Sequence, residues 1–220
     1  MLRVLEPELM EDKEQVIAYA HADFTDSIGW YTDTFLEKFP HAKQILDVGC
    51  GPADVPIHIA IHKKDAHVVA LDGSSEMISY AQKLISEKYP KVQSSIELYC
   101  GRLQEFNPQR FSFDAIISKD FLHHLENPMD LWSFIRQHAL PGTALYHMDL
   151  LRPNSVEDAK NIVERVAGEG HPILKQDFYN SLLAAFTLDE IKEQLLRVGL
   201  HTLKVSKTTT GRHFIIEGEV

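Results

Sequence analysis

The chain has 220 residues, 44% apolar and 25% charged, with a formal net charge of −10. That is the composition of a globular domain able to bury a sizeable core, and its acidity argues against nucleic acid, which is bound through basic patches. No apolar run reaches the roughly 20 residues of a membrane span, the acidic N-terminus does not read as a signal peptide, and Cys50 and Cys100 are too few for a disulfide framework, so a cytoplasmic setting is expected.

Residues 11–39 are predicted as one or two helices, because Ile17, Tyr19, Ala20, Phe24, Ile28, Tyr31, Phe35 and Leu36 recur every three to four positions. Asp26-Ser27 begins the second helix and Pro40 stops it. An alternation of strand and helix follows. Residues 44–48 read as a strand, and Asp54 as the cap of a helix running to about residue 63, with Pro56 tolerated in its first turn. A strand is expected at 66–71, then a helix at 75–89 capped by Ser74 or Ser75. Strands follow at 95–99 and 113–118, the latter apolar enough to be central and buried. A helix at 128–139 leads through Pro141-Gly142 into a strand at 143–149.

After residue 150 the rhythm changes. Helices are expected at 156–166, ended by Gly168, Gly170 and Pro172, and at 175–185. Thr187 and Glu190 form a capping box for a helix that ends at Gly199. Strands at 201–208 and 213–217 flank Thr210-Gly211 and predict an antiparallel hairpin. The expected fold class is α/β: a doubly wound, mostly parallel, Rossmann-like sheet with a C-terminal antiparallel hairpin and added helices. We read residues 1–220 as a single domain. It has an N-terminal helical cap (1–40), a cofactor-binding core (41–149), a helical insertion (150–185) and a last helix with strands (186–220).

Ligands of such sheets sit beyond the carboxyl ends of the strands. Asp47, Gly49, Gly51, Asp72, Gly101, Ser118 and Asp149 all fall at or just past predicted strand ends, so one shared site accounts for them. The glycine turn lets backbone approach a ligand, and Asp72 ends the next strand, where a carboxylate can accept from a ribose diol. Together they imply a nucleoside-containing cofactor. The spacing is Asp-x-Gly-x-Gly. The nicotinamide fingerprint wants a glycine or alanine three residues after Gly51, and Asp54 stands there instead. The twelve histidines are scattered and show no zinc-site spacing, so no metal is expected.

Four segments, 45–51, 72–78, 113–125 and Leu140-Pro-Gly142, resemble in order and spacing the successive motifs of class I S-adenosylmethionine-dependent methyltransferases of the small-molecule type. They read Ile-Leu-Asp-Val-Gly-Cys-Gly, Asp-Gly-Ser-Ser-Glu-Met-Ile, Phe-Asp-Ala-Ile-Ile-Ser leading to His-His-Leu, and Leu-Pro-Gly. The last helix and hairpin are similar to that family as well. The resemblance implies S-adenosyl-L-methionine as cofactor. Gly49 and Gly51 would approach its methionine part, Asp47 would organise the turn, Asp72 would hold the ribose hydroxyls, and Met77 would pack on the adenine. Arg102 stands where the family often uses an acid for the adenine amine. It cannot accept that hydrogen bond, so stacking by Arg102 or backbone contacts at Leu103 would read the base. Ser118 would lie on the lip of the methionine pocket.

His123 is the candidate general base, with His124, Asp149, Arg152 and Tyr19 as candidate substrate contacts. Asp149 and Arg152 either grip a charged acceptor or pair with each other. The expected activity is methyl transfer to an O, N or S nucleophile of a small molecule, with a homodimer among the possible assemblies. The alternatives are a non-catalytic binder of the cofactor, a nicotinamide-dependent oxidoreductase, and a transferase using a carboxylated derivative of the cofactor.

Overall fold

The computed structural model describes residues 1–6, 10, 12–108, 111–168 and 170–220. Five parallel strands form the body of one seven-stranded sheet: β1 (Gln44–Val48), β2 (His67–Asp72), β3 (Ile96–Cys100), β4 (Ala115–Lys119) and β5 (Ala144–Leu150). The C-terminal β6 (Lys204–Lys207) and β7 (His213–Glu219) complete it in the order β3-β2-β1-β4-β5-β7-β6, with β7 antiparallel to both its neighbours. The order reverses between β1 and β4, which pair directly, and so opens a crevice at their carboxyl ends.

Eight helices cover the sheet among the described residues. They are α1 (Lys13–His21), α2 (Thr25–Lys38), α3 (Asp54–His62), α4 (Ser75–Lys88), α5 (Met129–His138), α6 (Val156–Ala167), α7 (Pro172–Ala184) and α8 (Leu188–Arg197). The pleat of β1 shows how the layers arise. Ile45 faces Tyr31, Phe35 and Ile59 on one side, while Leu46 and Val48 face Leu131, Trp132 and Ile191 on the other. Both faces are apolar, as a parallel sheet covered on both sides requires. Two buried polar anchors fix the layers. Tyr31 donates to the carbonyls of Tyr146 (2.9 Å) and Ser118 (3.1 Å), and the Trp132 indole donates to Gln194 (2.7 Å).

The expected alternation of elements holds throughout, with boundaries shifted by a few residues. One cap differs. Ala53, at a left-handed φ of 67°, precedes α3, and Asp54 is the helix's first residue rather than its cap. The capping box of α8 forms as expected, with Glu190 N–H donating to Thr187 and Thr187 N–H donating to Glu190.

The two helical additions meet. α1 packs on α7, and α7 packs on both α6 and the short turn at Leu122–His124. Residues 1–6 run over the same turn. Val4 N–H donates to Leu183 (3.0 Å), and Arg3 donates to the carbonyls of Ala184, His123 and Leu125 while its guanidinium lies 4.1 Å from the centre of the Phe186 ring. No described helix is long and apolar enough to cross a membrane.

Candidate active site at the switch point

The glycine turn follows β1 directly. Gly49 and Cys50 both donate to Leu71 of the neighbouring strand, at 2.8 and 3.0 Å, which folds the turn across the end of β2. Gly49 (φ 74°) and Gly51 (φ 54°) both take left-handed backbone that other residues avoid. A Cβ on Gly49 would fall 2.3 Å from the Phe121 ring, whereas one on Gly51 would meet nothing. Gly49 therefore serves packing, and Gly51 presents open backbone.

Asp72 closes the turn from the other side. One carboxylate oxygen accepts from Gly51 N–H and the other from Ser74 N–H, each at 2.8 Å. Burial raises its pKa, and these two donors oppose that rise. Each oxygen keeps a lone pair for a further donor. Ser74 also caps α4 by accepting from Met77 N–H, which presents Met77 to the same space.

These residues enclose a cavity of about 120 Å³. Asp47, Gly49, Gly51, Asp72 and Met77 line its floor, and Tyr19, Phe24 and Ile28 of the N-terminal addition line its roof. Met10 also lines it, with its carbonyl accepting from Ser74 Oγ at 2.5 Å. Lys119, Asp120, Phe121 and His124 complete the wall.

The lining is acidic. Burial, helped by the charge of Asp72, pushes Asp47 up to about 8, and burial also raises Asp54. Burial would lower Lys119, but its ion pair with Asp120 outweighs that and keeps it cationic. Burial pushes the Tyr19 hydroxyl up to about 12, so it stays neutral.

The remaining sequence-predicted residues divide in two. Tyr19 and His124 reach the cavity. Arg102, Leu103, Ser118, His123, Asp149 and Arg152 do not line it. Ser118 is buried and donates to the carbonyl of Val48, tying β4 to β1 beneath the glycine turn. Arg102 is exposed and Leu103 is buried in the core; both begin a short 3-10 turn after β3. A second hollow opens at that turn, lined by Tyr99, Gly101 and Asn107.

His123 lies behind the cavity. Its Nδ1 is 2.5 Å from Asp149, whose other oxygen accepts from His123 N–H. Burial would lower the imidazole, but Asp149 outweighs it and raises His123 to about 9. Burial would raise Asp149, but the imidazolium holds it well below the usual carboxylate range. Arg152 pairs with Glu190 (2.6 Å) rather than Asp149, and so joins the end of β5 to the capping box of α8.

Sequence reasoning did not single out Met10, Phe121 or Glu6. Only the excluded space around Gly49 marks Phe121, and neither N-terminal residue sits in a periodic pattern.

Residues 45–142 match the model of the methyltransferase domain family. Ribosomal RNA small subunit methyltransferase G of Pasteurella multocida (strain Pm70) is 31% identical over 84 residues, which are 37% of this chain and 38% of that protein. An uncharacterised methyltransferase of Schizosaccharomyces pombe is 23% identical over 133 residues, 59% of this chain and 47% of that one. The chain thus spans less than half the length of these curated relatives. Among solved structures, the plantazolicin methyltransferase BpumL in complex with SAH superposes with a TM-score of 0.73 at 20% identity, over 89% of this chain and 74% of that one. A SAM-dependent methyltransferase from Aquifex aeolicus does so with a TM-score of 0.65 at 15% identity, over 94% and 98%. At such identities the likeness is one of fold. The matched stretch holds both the glycine turn and Asp72; residues 45–142 are similar to the methyltransferase domain family, and the chain shares the fold of these solved methyltransferases.

Proposed function

We infer that the protein transfers a methyl group from S-adenosylmethionine to a small-molecule acceptor. The observation that carries this reading is the Asp72 carboxylate. It is fixed by two backbone donors at the switch point, beside a glycine turn with open backbone, and retains lone pairs for a ribose diol. The lining suits a ligand bearing a sulfonium and an ammonium, since the carboxyl groups of Asp54, Asp72 and Asp120 face one lysine, and a cation there would also favour ionised Asp47. The cofactor supplies a methyl group already activated for displacement.

The chain's residues then bind, align and exclude water. Asp72 holds the ribose, Met77 packs on the adenine, and the open backbone at Gly51 approaches the methionine part. Asp47 supports the turn. Tyr19, Phe24 and Ile28 shed water from above, and Tyr19 and His124 face the acceptor. His123, already protonated against Asp149, orients its neighbour and accepts no proton at neutral pH. The net charge of −10 favours a small acceptor over nucleic acid.

Calorimetric titration with S-adenosylmethionine, S-adenosylhomocysteine and NAD tests the reading. The first two should bind and NAD should not; binding of NAD alone sinks it. Asp72→Ala should weaken S-adenosylhomocysteine about 10- to 100-fold, the worth of hydrogen bonds to a charged group. Unchanged affinity would remove the ribose assignment. Turnover with an acceptor panel that includes RNA then separates the small-molecule reading from the nucleic-acid one.

A further inference from the structure

At the edge of the cavity, where the N-terminal segment crosses the turn at Leu122–His124, His123 and His124 converge on Glu6, which has no part in the methyl-transfer reading. Glu6 Oε1 lies 3.4 Å from His123 Nε2 and 3.2 Å from His124 Nδ1. The three donor atoms all fall within 4.8 Å of one another. Glu6 is only 7% exposed, its other oxygen accepts from Ser181, and Oε1 itself has no hydrogen-bond partner.

These separations are too long for charge-assisted N–H···O bonds, which close to about 2.7–2.9 Å. Both match the edge of a tetrahedron, and the two imidazole nitrogens lie within 4.8 Å of each other. Ligand bonds of about 2.0–2.1 Å to a zinc-like ion place neighbouring donor atoms about 3.3 Å apart. The outer ring nitrogen of His123 is also in place. A metal-bound histidine characteristically gives its second nitrogen to a carboxylate that fixes tautomer and ring orientation, and His123 Nδ1 lies 2.5 Å from buried Asp149. The Arg3 guanidinium ties the N-terminal segment to the turn by donating to the carbonyls of His123 and Leu125.

We propose that Glu6, His123 and His124 form a binding site for one divalent first-row transition-metal ion, with Asp149 orienting His123 from outside. Two imidazoles and a carboxylate suit Zn²⁺ or Co²⁺ better than Mg²⁺ or Ca²⁺, which prefer all-oxygen sets. Binding displaces the proton from His123 Nε2 to solvent, since the ligand must be a neutral imidazole. Three protein ligands leave one position for water or another donor. The ion fastens residue 6 to the turn whose next side chain, His124, lines the cavity, so it ties the N-terminal segment to the cavity wall.

Among the described residues, two other histidines lie close enough to compete. His58 and His62 lie one turn apart on α3 with rings 4.1 Å apart, so the test is run in a His62→Ala background. The full chain, stripped with chelator, is titrated with Co²⁺ and followed by its visible d–d absorption, then back-titrated with Zn²⁺. One equivalent with tetrahedral bands, displaced by Zn²⁺, is the expected result. Glu6→Gln, which keeps the contact to Ser181, and His124→Ala should each weaken Co²⁺ at least 10-fold. Asp149→Asn should weaken it about 10- to 100-fold. Absence of saturable Co²⁺ binding overturns the proposal, as does undiminished affinity in Glu6→Gln. Glu6 lies outside the core clusters, so this variant remains informative if His124→Ala fails to fold. The readout needs no cofactor or acceptor, so it stands or falls apart from the methyl-transfer reading.

Discussion

At the scale of single residues, Asp47 shows how burial writes chemistry onto an ordinary side chain. It stands next to last in β1, almost wholly enclosed, with one carboxylate oxygen unbonded and Asp72 nearby. Its pKa rises from about 3.9 in the unfolded chain to about 8 in the fold. The folded state therefore holds a proton that the unfolded chain gives up. The stabilising contribution is complete below about pH 4 and is lost as pH climbs through 8. Asp47→Asn has nothing to ionise. Its stability relative to the parent should thus grow between pH 5 and pH 8, by at most about 1.4 kcal/mol per pH unit. Denaturant midpoints of both proteins at several pH values check this, and parallel profiles would contradict it. Asp72 differs for a local reason: burial raises it too, but two backbone donors oppose that rise and fix the carboxylate for a ligand.

At the scale of elements, the strands and helices follow from patterns that repeat within a few residues. Thr187 and Glu190 begin α8 through a reciprocal cap, and the same Glu190 also takes the guanidinium of Arg152. Thr187→Ala should cost about 1 kcal/mol of global stability through the lost cap, measured by chemical denaturation. A loss well above 2 kcal/mol would mean that the Arg152 contact fails along with it. The boundaries that moved are those where local chemistry is ambiguous. Ala53 takes a left-handed conformation that its side chain does not advertise, and so displaces Asp54 from the capping position. The helix at 172–184 starts earlier than periodicity suggested, because Pro172 opens its first turn and His171 caps it.

Over the whole molecule, the two helical additions and residues 1–6 pack against one another and against the turn at Leu122–His124, and of these only the N-terminal addition lines the cavity among the described residues. Arg3 is the principal tie, since it reaches Ala184, His123, Leu125 and Glu126 and stacks on Phe186. Arg3→Ala should release residues 1–6 and raise amide hydrogen exchange at Val4 and in the turn at Leu122–His124, while β1, β2 and β4 stay protected. Unchanged exchange at Val4 would show that the segment is held by other contacts.

The sequence by itself determined the order of elements, the glycine turn, Asp72 and the family resemblance, because each depends on residues close together in the chain. It also placed Tyr19 and His124 among the candidates that reach the cavity. Only the tertiary structure decided the rest. Ser118 and Arg152 turned to structural partners, His123 was sealed against Asp149, and Glu6 was brought beside two histidines more than a hundred positions away. Long-range packing between a terminal segment and a distant turn leaves no period in the chain, so nothing local could have announced it.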